Sequence, residues 1–302
     1  MVIYPMKLTP YISETIWGGN RLAEEYDIDP QGRANCAEAW ALSAHPKGSS
    51  VVQNGVYAGM RLDALYAMAP GLFGHIDARG FPILVKLIDA RDDLSVQVHP
   101  RDTDSVLRPG EAGKTECWYI LDARPGAKLY LGFRRAVSRE EFARAIERQT
   151  LMDLVQAFEV RAGEFYFIPA GTLHAIGRGV LLAEVQQNSD TTYRAYDYGR
   201  LQNGAARQLH VEQALAVTDL TPYKPSRQTR AACEYFSVEE WRGDFMGSAD
   251  ESFVSLLVLD HTGTLLCAGM ELSLRKGDSV LIPAGAGEFR AAGECRGLVT
   301  RV

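Results

Sequence analysis

Four side chains, Gln97, His99, Glu116 and His174, could together hold a divalent metal ion. In Ser95-Val96-Gln97-Val98-His99-Pro100 polar and apolar residues alternate, so Gln97 and His99 point to the same side of a strand. Glu116 opens the next apolar strand, and His174 follows a Pro-x-Gly turn. Two imidazoles, one carboxylate and one amide oxygen suit zinc or another borderline divalent ion. Such a set leaves positions open for water or substrate, as catalytic centres do. Singly, each residue has an ordinary explanation. His99 could end a strand before Pro100, Gln97 could be a polar face residue, and a lone histidine is more often structural than a ligand. Their joint occurrence favours a metal site.

The elements that must position them are mostly strands. Segments rich in Val, Ile, Leu, Tyr and Phe occupy 81–88, 94–99, 117–121, 128–133, 164–169, 180–185, 253–259, 264–268 and 279–283, separated by Gly, Pro and Asp turns. That pattern predicts antiparallel sandwiches or barrels, mainly β, with a few short helices. Ser138-Arg139-Glu140-Glu141 reads as a capping box, and Phe142, Ile146, Leu151, Leu154, Val155 and Phe158 continue a helical spacing beyond it. Leu62–Met68 and Val211–Val217 read as shorter helices. The segment 221–230, with Pro222, Pro225 and several basic residues, has a linker's composition. It divides the chain into a catalytic, metal-binding domain over 1–220 and a C-terminal domain over 231–302.

Composition narrows the class. Of 302 residues, 46% are hydrophobic and 23% charged, and Lys plus Arg number 32 against 38 Asp plus Glu, a net charge of −6. An acidic balance gives no reason to expect nucleic acid or an anionic membrane as partner. No apolar run approaches the roughly 20 residues of a membrane span, and Lys7 and Glu14 interrupt the N-terminus where a signal peptide would be apolar. The five cysteines are scattered without a CxxC pair and read as reduced thiols of a cytoplasmic protein.

An internal repeat supports two related halves. Gly163-Glu-Phe-Tyr-Phe-Ile-Pro169-Ala-Gly171-Thr-Leu-His174 aligns without a gap to Gly277-Asp-Ser-Val-Leu-Ile-Pro283-Ala-Gly285-Ala-Gly-Glu288. Turn, strand and turn recur in fixed register. The pattern G-x5-P-x-G-x2-H resembles the second motif of the cupin superfamily. The resemblance implies a double cupin, two antiparallel β-barrel or jelly-roll domains, with His174 as a metal ligand in the first. Glu288 stands where the second copy would have its histidine, so the C-terminal domain reads as one without metal.

The resemblance is narrower than the superfamily. Pro82-Ile-Leu-Val-Lys86, Leu94-Ser95-Val-Gln97-Val-His99-Pro100, Lys114-Thr-Glu116 and Gln187-Asn188-Ser-Asp190-Thr-Thr-Tyr-Arg194 look like type I mannose-6-phosphate isomerases. So do Trp17-Gly18-Gly19 and Glu38-Ala-Trp40 with His45-Pro46. The likeness runs over 5–198 and is to the short bacterial form of the family. It implies one zinc ion per chain on Gln97, His99, Glu116 and His174, and a sugar phosphate as substrate. It makes Lys114 a candidate acid, base or substrate contact, and it places Lys86 and Ser95 by the sugar phosphate, with Trp17 as a further candidate substrate contact. Aldose–ketose interconversion moves a proton between adjacent carbons through a cis-enediol, which needs a cation for the developing oxyanion. Arg194 suits that role, and Asp190 could orient it or move protons.

One departure concerns Gly113, where long-form members carry a histidine before the lysine, so ring opening falls to another group or to water. His45, His75, His210 and His261 read as structural or surface residues. Rival expectations are a non-catalytic sugar-phosphate-binding or regulatory cupin, an isomerase of another sugar phosphate, and a metal-dependent oxygenase. The oxygenase fits least, because only two ligating histidines are present. The sequence leaves oligomeric state open.

Overall fold

The strand Ile83–Asp89 is buried at every position. A strand reads as a continuous apolar run when its sheet is covered on both faces, and alternate residues then serve different cores. Ile83, Val85 and Leu87 join a cluster with Met6, Leu281 and Leu298, whereas Ile88 joins Trp118, Ile120 and Leu182 in another. Lys86 shares the second face.

The computed structural model describes residues 2–74, 80–224 and 230–302. Ile83–Asp89 lies in a six-stranded sheet ordered Phe165–Ile168, Glu116–Ala123, Val180–Gln187, Ile83–Asp89, Glu38–Leu42 and Tyr11–Ser13. Facing it is a five-stranded sheet of Val155–Glu159, Lys128–Phe133, His174–Ile176, Val96–Val98 and Tyr193–Tyr196. Leu129, Leu131 and Ile176 of that sheet meet Trp118 and Leu182 between the layers. Its outer face is covered by the helices Arg139–Glu147 and Val211–Val217, which pack Phe142, Ile146, Ala214 and Val217 on Val96, Val98 and Ala175. Val96 and Val98 therefore face the helices, and Gln97 faces inward.

A second pair of sheets, seven-stranded and four-stranded, encloses a core of Trp241, Leu256, Leu265, Ile282 and Phe289. The N-terminal strand Met6–Thr9 belongs to this seven-stranded sheet, antiparallel to Ser279–Ile282. The strand pairs within these sheets are antiparallel, and the sheets are open, so each unit is a jelly roll and not a closed barrel. The expected mainly β double cupin is thus the fold, and each predicted strand segment falls on an observed strand. Among the described residues no helix is long and apolar enough to cross a membrane.

One expectation fails. The helix that begins after Ser138 stops at Glu147, and Val155–Glu159 is a strand paired with Lys128–Phe133. Gln149, at φ 59°, turns the chain out of the helix. The spacing of Leu151, Leu154, Val155 and Phe158 is met by a single 3₁₀ turn followed by an edge strand. Half of the capping box forms: Ser138 Oγ accepts from Glu141 N–H at 3.1 Å, but the Glu141 carboxylate pairs with Arg135. The repeat is structural as well, since Gly163 and Gly277 both have φ near +88° (88° and 87°) before matching strands. Glu288 is exposed on Gly287–Gly293. Of the linker segment 221–230, residues 225–229 lie outside the described residues, as does His75.

Candidate metal centre and pocket

Strand register sets the site. His174 stands opposite Gln97, and Gln97 opposite Arg194. On the facing sheet Glu116 stands opposite Gln186, while Glu184 lies between Lys86 on one side and Trp118 on the other. The two sheets turn these side chains toward each other.

His99, Glu116 and His174 present one ligand atom each within 4.8 Å of one another, all buried. His99 Nε2 lies 3.6 Å from Glu116 Oε2, and His174 Nε2 lies 3.4 Å from Oε1. Each imidazole has its other nitrogen against a backbone carbonyl: His99 Nδ1 is 2.8 Å from Thr191 O, and His174 Nδ1 is 2.9 Å from Thr172 O. A carbonyl can only accept, so Nδ1 carries the proton and the Nε2 lone pair points at Glu116, the arrangement of metal-ligating histidines. Burial pushes His174 down to about 4, and burial with the nearby Lys114 charge takes His99 well below its usual range. Both rings are neutral at pH 7 and keep an Nε2 lone pair, which in His99 faces the Lys114 ammonium.

Glu116 is fully buried, and neither carboxylate oxygen has a well-formed hydrogen bond. Lys114 lies 2.6 Å from Oε2 as an ion pair and 3.2 Å from His99 Nε2. Burial nonetheless raises the Glu116 pKa. The charge balance points the same way. The ammoniums of Lys86 and Lys114 are grouped with the carboxylates of Glu38, Glu116 and Glu184. With Glu116 ionised, two positive charges against three negative leave one negative charge in excess, and a divalent cation would turn that into one positive. These residues fit a metal ion. Gln97 adjoins the cluster with its Nε2 3.5 Å from His174 Nε2, while its Oε1 accepts from Ser95 Oγ at 3.1 Å. An oxygen ligand from Gln97 requires a half-turn of the amide.

Above the cluster opens a pocket of about 370 Å³ whose lining includes Trp17, Lys86, Ser95, Gln97, Lys114, His174, Asp190 and Arg194. Every candidate site residue read from the sequence is therefore at this pocket or, for His99 and Glu116, directly beneath it. Lys86 is held 3.1 Å from Glu184 Oε1 and 3.6 Å from Glu38 Oε2, with its ammonium over the Trp40 ring. Burial alone would lower its pKa, but the two carboxylates more than reverse that and leave it raised. Burial likewise works to raise Glu184, and Lys114 and Lys86 overcome it, so that carboxylate stays ionised. Trp118 and Trp40 donate their indole N–H to Glu184 and Glu38 at 2.9 and 2.7 Å.

One expectation about partners changes. Asp190 pairs with His45, at 3.5 Å, and with Lys47, which together hold its carboxyl well below the usual range; it does not orient Arg194. Arg194 Nη1 instead donates to Gln208 O at 2.8 Å, and its Nε is buried without a partner. His45 is thus a buried neighbour of the pocket. Glu38, Glu184, Thr192 and Arg207 also line the pocket and were given no role from sequence. Glu184 carried one signal: it is an acidic residue inside the apolar strand Val180–Gln187, on the same parity as Leu182.

Facing antiparallel sheets around a buried His/Glu/His set make the first unit a cupin with the donors of a divalent-metal centre. Residues 6–119 match the catalytic domain of type I phosphomannose isomerase, and residues 226–302 match the mannose-6-phosphate isomerase cupin domain. The chain belongs to the mannose-6-phosphate isomerase family. It is 39% identical to mannose-6-phosphate isomerase ManA of Bacillus subtilis over 100% of both chains. It is 40% identical to the mannose-6-phosphate isomerase of Streptococcus mutans over 92% of each. The crystal structure of the Bacillus subtilis mannose 6-phosphate isomerase superposes with a TM-score of 0.91 at 37% identity, covering 99% of each chain. A zinc-bound mannose 6-phosphate isomerase shares the fold at 17% identity, with a TM-score of 0.77 and 98% of each chain covered.

Proposed function

We propose that this chain interconverts mannose 6-phosphate and fructose 6-phosphate through a cis-enediol. The observation that carries the reading is the junction of the His99, Glu116 and His174 cluster with Lys114 and Arg194 at one pocket. A divalent ion such as zinc, one per chain, would be held by those three residues and by Gln97 after its amide turns, and would supply Lewis acidity at the sugar's C1 and C2 oxygens.

The residues divide the remaining work. Isomerisation carries a proton from one carbon to its neighbour and passes through an oxyanion. Lys114 stands at the pocket floor, where it can give or take a proton. Arg194 is always charged and lines the pocket, so it offers the oxyanion a cation. Asp190, at the rim, accepts from sugar hydroxyls. Lys86, Ser95 and Trp17 are the proposed substrate contacts. Because Lys86 is already shared between Glu184 and Glu38, it contributes a directed hydrogen bond more than net charge. The pocket volume suits a ligand the size of a sugar phosphate. The acidic chain and this pocket fit a soluble metabolic enzyme of the cytoplasm whose partner is a small molecule, with neither nucleic acid nor membrane involved.

The test is fructose 6-phosphate formation from mannose 6-phosphate by zinc-loaded and by chelated protein. Turnover that is lost on chelation and returns with zinc supports the reading. No turnover with the metal demonstrably bound would leave a sugar-phosphate-binding cupin, or an isomerase of another sugar phosphate.

A further inference from the structure

We propose that Tyr235, in the C-terminal jelly roll, positions Lys114 through Asp102; the proposal rests on the reading of Lys114 as a residue that acts on substrate. Lys114 is flanked by two residues whose backbone N–H groups are both taken by side chains. Gly113 donates to Asp102 Oδ1 at 2.7 Å, and Thr115 donates to Gln187 Oε1 at 2.8 Å. Gln187 Nε2 donates in turn to Asp102 Oδ2 at 3.0 Å, and the same oxygen accepts from the Tyr235 hydroxyl at 3.1 Å. Both sides of Lys114 are therefore tied to one carboxylate, and that carboxylate is tied to the C-terminal unit.

The chemistry of this clasp is consistent at every member. An ionised carboxylate only accepts, so it satisfies the amide, the glutamine and the phenol at once, and bonds to a charged acceptor are the stronger kind. Lys114 N–H donates to Pro100 O at 3.0 Å, which fixes the same loop to the residue after His99. Gly113 is required by the approach, because a β-carbon there would lie 2.5 Å from Asp102 N and 2.9 Å from Oδ1. The glycine that departs from the long-form pattern is thus the residue that lets Asp102 seize the loop. Tyr235 falls in the stretch 226–302 matched to the cupin domain, and Asp102 and Gly113 in the stretch 6–119 matched to the catalytic domain. The C-terminal unit would then act in catalysis by holding a lysine it does not touch.

The experiment uses the full-length, metal-loaded protein with Y235F, D102N and the double variant. Loss of one charge-assisted bond at a distance from the ammonium should lower kcat by about three- to tenfold and leave KM within about twofold. D102N should lower kcat further, because an amide N–H would face the donors of Gln187 or Tyr235. The double variant should be no worse than D102N, since the two residues act in one chain of bonds. Hydrogen exchange at the Gly113 and Thr115 amides should quicken in Y235F. That readout needs no turnover, so it judges the clasp even if the wild-type protein proves inactive on mannose 6-phosphate. Wild-type exchange at those amides in Y235F, or losses in the double variant that simply multiply, would overturn the proposal. So would a kcat in Y235F equal to that of the active wild type.

Discussion

Lys86 and Glu184 stand directly opposite each other on adjacent antiparallel strands, and the ammonium lies 3.1 Å from Glu184 Oε1 with both side chains more than nine-tenths buried. A buried pair of this kind adds little stability over an apolar pair, but removing one member strands the other's charge. K86M leaves Glu184 and Glu38 without their shared cation and should cost about 3–5 kcal/mol in denaturant unfolding. K86M/E184Q should recover part of that loss. A double variant no more stable than K86M would show that Glu38 or packing, not the pair, sets the cost.

Metal removal should be as damaging as ligand removal. H174A deletes an Nε2 aimed at Glu116, and it should lose its bound ion on dialysis and at least about a hundredfold in turnover. Elemental analysis beside the activity assay separates a lost ion from a lost fold. Full metal content in H174A would remove His174 from the ligand set.

The pH dependence of the metal-free protein follows from the histidines. Their folded pKa values lie below the ordinary imidazole value of about 6.5, His174 at about 4. Below pH 6.5 the unfolded chain binds protons that the folded chain refuses, so stability present above 6.5 is lost as pH falls toward 4. Glu116 has the opposite sign, because its folded pKa is raised above 4.5 and the folded state holds its proton longer. Two histidines outweigh one carboxyl, so urea midpoints should fall between pH 6.5 and 5. Midpoints that rise on acidification would show the imidazoles to be charged in the folded state.

The wall of the pocket at Trp17 depends on the glycine after it. A β-carbon on Gly18 would lie 2.2 Å from Ala37 Cβ and 2.8 Å from its Cα, in a fully buried spot. Gly18→Ala should cost about 1–3 kcal/mol of stability and raise KM for the sugar phosphate by moving Trp17. An unchanged KM alongside lowered stability would separate Trp17 from substrate binding.

How much of this could be read from the chain depended on whether the signal was local. Gln97 and His99 are two residues apart on one strand, and their common face follows from the strand period alone. Lys86 announced itself as a charge inside an apolar run, but its partner Glu184 is 98 positions away and becomes a neighbour only when Ile83–Asp89 pairs with Val180–Gln187. His45 and Asp190 are joined in the same long-range way, so the sequence left His45 open between a structural and a surface role. The residues from 151 to 158 misled for a different reason. A four-residue spacing of apolar side chains is compatible with a 3₁₀ turn leading into an edge strand, and the break at Gln149 is a backbone angle that its residue type does not announce.

Among the described residues, both faces of the six-stranded sheet pack against other elements. Its front residues build the pocket, and its rear residues, among them Ile83, Val85, Leu87, Tyr119 and Val185, close against Met6, Leu281 and Leu298. A truncation ending before residue 231 would keep Met6 but remove Leu281 and Leu298, uncovering part of that rear surface, an apolar patch of the sort that drives aggregation. The C-terminal jelly roll therefore has a packing role toward the first unit whatever chemistry it performs.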